Sequence, residues 1–155
     1  MVNLTRCREG EVLLDPFAGT GSILLEAAQV GALPLASDQT STMSRGSLAN
    51  MKKFGQSWLG VIRADAISLP VTRVDAIATD APYGRASSTR GSGAATIIER
   101  ALDCFPNLLK SGSRMVLMHP KEVPIHDTAE LVVEEEHHLY VHKRLTRTIT
   151  ILRRR

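Results

Sequence analysis

A chain of 155 residues, 43% hydrophobic and 23% charged, has the size and composition of one folded domain with a sizeable core, which excludes an intrinsically disordered segment. The formal net charge of +3 is too mild to define a partner by itself. No apolar run approaches the ~20 residues of a membrane span, and the opening MVNLTRCREG lacks the apolar stretch of a signal peptide, so a cytoplasmic protein is expected.

The first predicted element is a short buried strand in EVLLDPF (11–17), ending at Asp15-Pro16. GSILLEAAQVG (21–31) puts Ile23, Leu24, Ala27 and Ala28 on one helical face and stops near Gly31. ALPLASD (32–38) predicts a second strand. TSTMSRGSLANMKKFG (40–55) predicts a helix with Met43, Leu48 and Met51 inward and Gly55 as its C-terminal stop. GVIRADA (60–66) and VDAIATD (74–80) predict strands three and four. AATIIERALDCFPNLLKSG (94–112) reads as a helix as far as Cys104, which Pro106 kinks or resets. SRMVLMHP (113–120) predicts strand five, and LVVEEEHHLYVHKRL with TRTITILRRR closes the chain as an antiparallel pair. This alternation predicts an α/β architecture, an open and mostly parallel sheet with helices on both faces. No repeat or linker divides it, so residues 1–155 are expected to form a single domain.

Ligands of such sheets bind at the carboxyl ends of the strands, where the strand order reverses. Asp15, Asp38, Asp65 and Asp80 fall at the predicted ends of strands one to four. DPFAGTGS (15–22) joins the first strand to its helix, and Gly19 and Gly21 let the backbone turn tightly and approach a ligand. The third glycine of a dinucleotide fingerprint would fall at Leu24, and no Gly-Lys-Ser/Thr follows. The loop therefore suits a nucleoside without a pyrophosphate. Asp38 can accept from ribose hydroxyls or cap the helix that begins near Thr40; Asp65 can accept from an adenine amine or close a turn. In ATDAPYGR (78–85), Asp80-Ala81-Pro82-Tyr83 is either a strand end with an ordinary turn or a clamp for a planar amine.

The rest of the chain offers less. Cys7 and Cys104 have no zinc or redox spacing. His137, His138 and His142 lie on a strand whose alternation sends neighbours to opposite faces, so no metal is expected. GRASSTRGSG (84–93) reads as a substrate loop in which Arg85 and Arg90 can meet phosphates. The basic end, with Lys143, Arg144, Arg147 and Arg153 to Arg155, suits either a polyanion such as RNA or a strand edge protected by charge.

DPFAGTGSILLEAA, the SD at 37–38, RADA and DAIATDAPYGR, in this order, resemble class I S-adenosylmethionine-dependent methyltransferases of the amino-methylating branch, whose signature is Asp-Pro-Pro-Tyr. Within that branch the chain is most similar to the catalytic domain of the archaeal tRNA (guanine-10-N2)-methyltransferases, THUMP-containing RNA methylases. MVNLTRCREGEVLLDPFAGTG, YGRASSTRG and LTRTITILRRR extend the likeness over essentially the whole chain. The resemblance implies a Rossmann-like sheet of seven strands with an antiparallel C-terminal strand. It implies S-adenosyl-L-methionine as cofactor, held by Asp15, Pro16, Phe17, Ala18, Gly19, Thr20, Gly21, Asp38, Gln39, Asp65, Ala66 and Asp80. Asp80, Ala81, Pro82 and Tyr83 would be the catalytic set.

The implied reaction methylates the exocyclic N2 amine of guanosine in tRNA, at position 10, by direct transfer. Asp80 and the Ala81 carbonyl would accept the two N–H bonds, and Tyr83 would stack on the base. Ala81 stands where the signature has its first proline, so a somewhat looser clamp is expected. The family also carries an N-terminal THUMP region that is not in this sequence, so the expected partners are tRNA together with a separate THUMP-like RNA-binding subunit or a small activator protein. The rival readings are a DNA adenine or cytosine N-methyltransferase, and a cofactor-binding domain that is inactive without an RNA-binding partner.

Overall fold

The computed structural model describes residues 1–82, 93–143 and 145–155. Its strands are β1 (Val12–Asp15), β2 (Leu33–Ser37), β3 (Gly60–Ile62), β4 (Ala76–Asp80), β5 (Arg114–Pro120), β6 (Leu131–His142) and β7 (Leu145–Arg154). The helices are α1 (Val2–Thr5), α2 (Ser22–Gln29), α3 (Ser41–Lys53) and α4 (Ala94–Cys104), the last running into a 3-10 turn at Phe105–Leu108. The seven strands form one sheet in the order β3-β2-β1-β4-β5-β7-β6. β1 to β5 pair in parallel, and β7 runs antiparallel to both its neighbours, β5 and β6.

Each strand divides its side chains between two cores by simple alternation. Leu14, Leu35, Ile77, Met115 and Leu117 face the apolar side of α4 and Phe105. On the opposite face Leu13 and Ala78 meet Val2 and Ala27, while Ala36 meets Leu24 and Met51. Both sheet faces are thus covered, as the strand–helix alternation predicts. The stop at Gly31 is real: its φ is +82°, and its N–H closes on the Ala28 carbonyl at the end of α2. Pro106 sits in the 3-10 turn that follows α4, where its missing N–H costs nothing.

Two details differ from the sequence reading. The first ten residues carry α1, a four-residue helix whose Val2 is buried. It is too short to leave a periodic signal. In α3, Met43 is 38% exposed rather than inward: it lies in the first turn of the helix, ahead of the buried Ser47 and Met51. A polar serine in that stripe breaks the apolar pattern, and it does so to reach the glycine loop.

The strand order places the switch point between β1 and β4: β1 and its successor β2 lead one way across the sheet, β4 and β5 the other. The carboxyl ends of β1 and β4 carry Asp15 and Asp80.

Candidate active site

The loop from Asp15 to Ser22 is wired to three elements. Ala18 N–H donates to the Ser37 carbonyl at the end of β2 at 2.9 Å, and Gly21 N–H turns back to the Ala18 carbonyl at 2.8 Å. From α3, Ser47 Oγ donates to the Gly19 carbonyl and Asn50 Nδ2 to the Thr20 carbonyl, each at 2.8 Å. Gly19 and Gly21 both have positive φ, +53° and +90°. At Gly21 glycine is also required by space, since a Cβ would lie 3.1 Å from Leu24 Cδ1 and 3.3 Å from Ser47 Oγ. Ser47 and Asn50 are site residues that the sequence reading missed. The signal that could have found Ser47 is its spacing: Met51 is four positions on, so the pair occupies one helical face.

Asp15 is buried at 2% exposure. Thr79 Oγ donates to its Oδ1 at 2.6 Å and Phe17 N–H at 3.2 Å. Burial pushes its carboxyl up to about 7; these two donors oppose the rise, and the nearby Asp80 and Asp38 carboxylates add to it. Asp38 follows β2 and bridges two elements: Oδ2 accepts from Gly19 N–H at 3.2 Å and Oδ1 from Thr40 N–H at 2.7 Å, just before α3. It therefore pins the glycine loop to the turn that precedes that helix, whose N-cap is Thr40 with no side-chain cap bond. Each oxygen retains a lone pair for a further donor. Gln39 is exposed beside it.

Asp65 is less embedded. It lies beyond the end of β3, exposed, and accepts from Ile67 N–H at 3.2 Å, so it does close a turn. Ala66 next to it is buried.

Asp80 ends β4 and is half-buried. Its Oδ2 accepts from Arg147 Nη1 at 3.0 Å; its Oδ1 is buried with no hydrogen-bond partner among the described residues. Burial raises its pKa, and the Arg147 guanidinium opposes that rise. The ladder continues one residue past Asp80, with Ala81 N–H donating to the Met118 carbonyl at 3.0 Å and Ala81 itself 1% exposed. A proline could not make that bond. The alanine therefore ties this backbone more firmly to β5, in contrast to the looser clamp expected. Pro82 is half-buried. Tyr83, together with Arg85, Arg90 and the rest of 83–92, lies outside the described residues, as does Arg144.

Asp15 and Asp80 converge on a cavity of about 300 Å³ whose wall is otherwise mainly apolar, from Phe17, Ala18, Ile23 and Met118. Pro16 is buried behind it, and Thr20 is exposed on the loop. The structure thus gathers the glycine loop, Asp38 and Asp80 around the switch point, and leaves Asp65 and Ala66 at the β3 side.

The basic end of the chain is arranged differently from either sequence reading. β7 is an interior strand, not an edge. Arg147 pairs with Asp80, Arg153 with Glu134, Arg154 with Glu130 and Arg155 with Asp127. Each of these cations has an ion-pair partner within the domain, Arg153 and Arg155 while remaining 42% and 49% exposed.

Residues 1–149 match the family described as RMKL-like, methyltransferase domain. The chain is 33% identical over 163 aligned residues to the tRNA (guanine(10)-N2)-dimethyltransferase of Methanocaldococcus jannaschii, covering 99% of this chain and 44% of that one. It therefore spans about half the length of this relative. Among solved structures, TrmN from Thermus thermophilus superposes with a TM-score of 0.82 at 24% identity, over 99% of this chain and 47% of that chain. SMU.1697c from Streptococcus mutans, solved in complex with SAH, superposes with a TM-score of 0.76 at 10% identity, over 99% of this chain and 95% of that chain. Both structures share the fold.

Proposed function

The chain belongs to the RMKL-like methyltransferase domain family, and from that premise we propose that it methylates the exocyclic N2 amine of a guanosine in tRNA, at position 10, with S-adenosyl-L-methionine as cofactor. The observation that carries this reading is Asp80: a strand-end carboxylate at the switch point, lining a cavity, with one oxygen buried and unpartnered. A relative with 33% identity bears the name of that activity.

The donor set fits the cofactor. Its sulfonium and ammonium are cationic, and the cavity sets the carboxyl groups of Asp15 and Asp80 in an otherwise mainly apolar wall. Pro16 to Gly21 form the loop over which the nucleoside would lie; Asp38, with spare lone pairs and Gln39 beside it, would hold the ribose hydroxyls. Asp65 and Ala66 would border the adenine. When bound, the cofactor supplies an electrophilic methyl group on sulfur.

The protein's own work is to prepare the nucleophile. The lone pair of a guanine amine is delocalised into the ring, so the amine must be oriented and localised. Asp80 and the Ala81 carbonyl accept its two N–H bonds and stabilise the positive charge that develops on nitrogen. Asp80 takes the released proton, directly or through water. Pro82 shapes the turn after the clamp, and Tyr83 stacks on the base, a role read from the sequence.

Residues 1–155 act in this reading as one catalytic domain, and a separate RNA-binding unit, THUMP-like or a small activator protein, selects the tRNA. The internal pairing of Arg147, Arg153, Arg154 and Arg155 supports that division, since it leaves these cations committed within the domain. Incubation with methyl-labelled cofactor, tRNA transcript and duplex DNA, followed by nucleoside analysis, tests the proposal. Label in N2-methylguanosine is expected, and Asp80→Ala should abolish it while cofactor binding, held mainly by Asp38 and the glycine loop, is only partly weakened. Label confined to DNA, or cofactor binding without transfer even when an RNA-binding partner is supplied, would overturn it.

A further inference from the structure

The two oxygens of Asp80 have unlike surroundings. Oδ2 is taken by Arg147 Nη1 at 3.0 Å, while Oδ1 is buried with no hydrogen-bond partner among the described residues. The guanidinium reaches Asp80 by crossing the end of β5. Asp80 is paired with Met118 in the parallel ladder, Arg147 with Pro120 in the antiparallel one, and Met118 Sδ lies 3.2 Å from the same Nη1. Two strand registers thus determine where this ion pair forms, and its Arg147 side chain is only 24% exposed. A loose surface pair would leave both carboxylate oxygens in water and contribute little. This one occupies one oxygen and leaves the other dry.

We infer that Arg147 is a positioning residue for methyl transfer: it holds Asp80 by Oδ2, so that Oδ1 is presented, ionised, to an N–H of the incoming amine. The inference rests on the function proposed for Asp80 and adds to it a residue on a distant strand. It also explains why an arginine occupies the third position of β7 beside a carboxylate that must accept rather than donate. A planar fork fixes a carboxylate's orientation, whereas an ammonium supplies charge without that constraint.

Charge acts in the same direction. Burial favours the neutral form of Asp80 and the guanidinium resists it. Of the residues that line the cavity with Asp80, Asp15 from β1 is carboxylic and its own pKa is raised to about 7, Met1 carries an amino group paired with Glu26 of α2, and β5 contributes the uncharged Met118. Removing Arg147 leaves burial without its opposing charge. The Asp80 carboxyl then binds its proton at higher pH, and a protonated carboxyl is a poor acceptor for the amine.

The test uses Arg147→Met and Arg147→Lys, with three readouts. The Asp80 carboxyl is titrated by 13C NMR, cofactor affinity is measured calorimetrically, and the pH dependence of kcat is followed with tRNA and any required RNA-binding partner. In Arg147→Met the Asp80 pKa should rise and the acid limb of kcat should move to higher pH with it. Each unit of that movement costs about tenfold in rate on the acid side. Cofactor affinity, measured at a pH above the acid limb where Asp80 is ionised in both proteins, should stay within roughly twofold of wild type. In Arg147→Lys the pKa should return towards the wild-type value while kcat stays depressed, separating charge from orientation. An unmoved Asp80 titration in Arg147→Met, an unmoved acid limb, or a fall in transfer matched by an equal fall in cofactor affinity would overturn the inference. A wild-type chain that transfers nothing to tRNA would sink the functional reading instead, and the carboxyl titration would still decide whether Arg147 governs Asp80.

Discussion

At the scale of single residues, Asp15 and Ala81 make opposite uses of burial. Asp15 keeps a carboxyl inside the fold, where burial pushes its pKa up to about 7 from an unfolded value of 3.8. The sign follows from linkage: a raised carboxyl favours the folded state fully below about pH 4 and progressively less as pH climbs through 7. Asp15→Asn keeps an acceptor for Thr79 and Phe17 while removing the charge. It should raise stability at pH 8 by on the order of 2 kcal/mol relative to wild type, with the difference shrinking towards zero near pH 4. Denaturant melts at the two pH values check it; a constant offset would show that the carboxyl does not titrate in this range. Ala81 contributes a backbone bond to Met118. Ala81→Pro should therefore lower stability by about 1 kcal/mol, read as a fall in melting temperature, in spite of restoring the sequence signature. The sequence showed both acids and the alanine, because strand ends and turn residues are local. It could not show that Arg147 reaches Asp80, a contact between residues 67 apart in the chain.

At the scale of elements, the glycine loop depends on a helix that does not adjoin it in sequence. Gly21 sits at φ +90° with Ser47 and Leu24 close about it, so Gly21→Ala strains the backbone and asks those two side chains to give by a few tenths of an ångström. A cost of roughly 1–3 kcal/mol is expected, with weakened cofactor binding. Ser47→Ala should cost about 1 kcal/mol by freeing the Gly19 carbonyl, and should weaken cofactor binding without changing the Asp80 titration. The loop itself was legible from its two glycines and the helix that starts at once. Its supports were not, since a serine inside an apolar helical stripe reads as noise until the opposing carbonyl is known. Met43 shares a face with Ser47 by periodicity, but it lies in the first turn of α3 and is 38% exposed, which spacing alone does not show.

At the scale of the whole molecule, the antiparallel hairpin is fastened to the parallel sheet by charge as well as by pairing. Glu134 on β6 meets Arg114 on β5 at 2.5 Å and Arg153 on β7 at 2.7 Å, and Arg114 also donates to the Leu4 carbonyl in α1 at 3.2 Å. Arg114 is the least exposed of these side chains, at 11%. Glu134→Ala leaves it without its carboxylate, and a loss of about 3 kcal/mol is expected in urea unfolding. Arg153→Ala, at 42% exposure, should cost well under 1 kcal/mol. The parallel core and the antiparallel closing pair followed from alternation and length, whereas the order of the strands is seen only in the sheet itself. The ion pairs did not, because a run of arginines looks the same whether its partners are phosphates or neighbouring strands.

The half-titrated state of Asp15 near neutrality has one more consequence, for calorimetry. A cation entering the cavity beside it favours the ionised carboxylate and expels its proton. Cofactor binding at pH 7 should then release a fraction of a proton into solution, so the measured heat should change with the ionisation enthalpy of the buffer and the affinity should climb with pH towards 8.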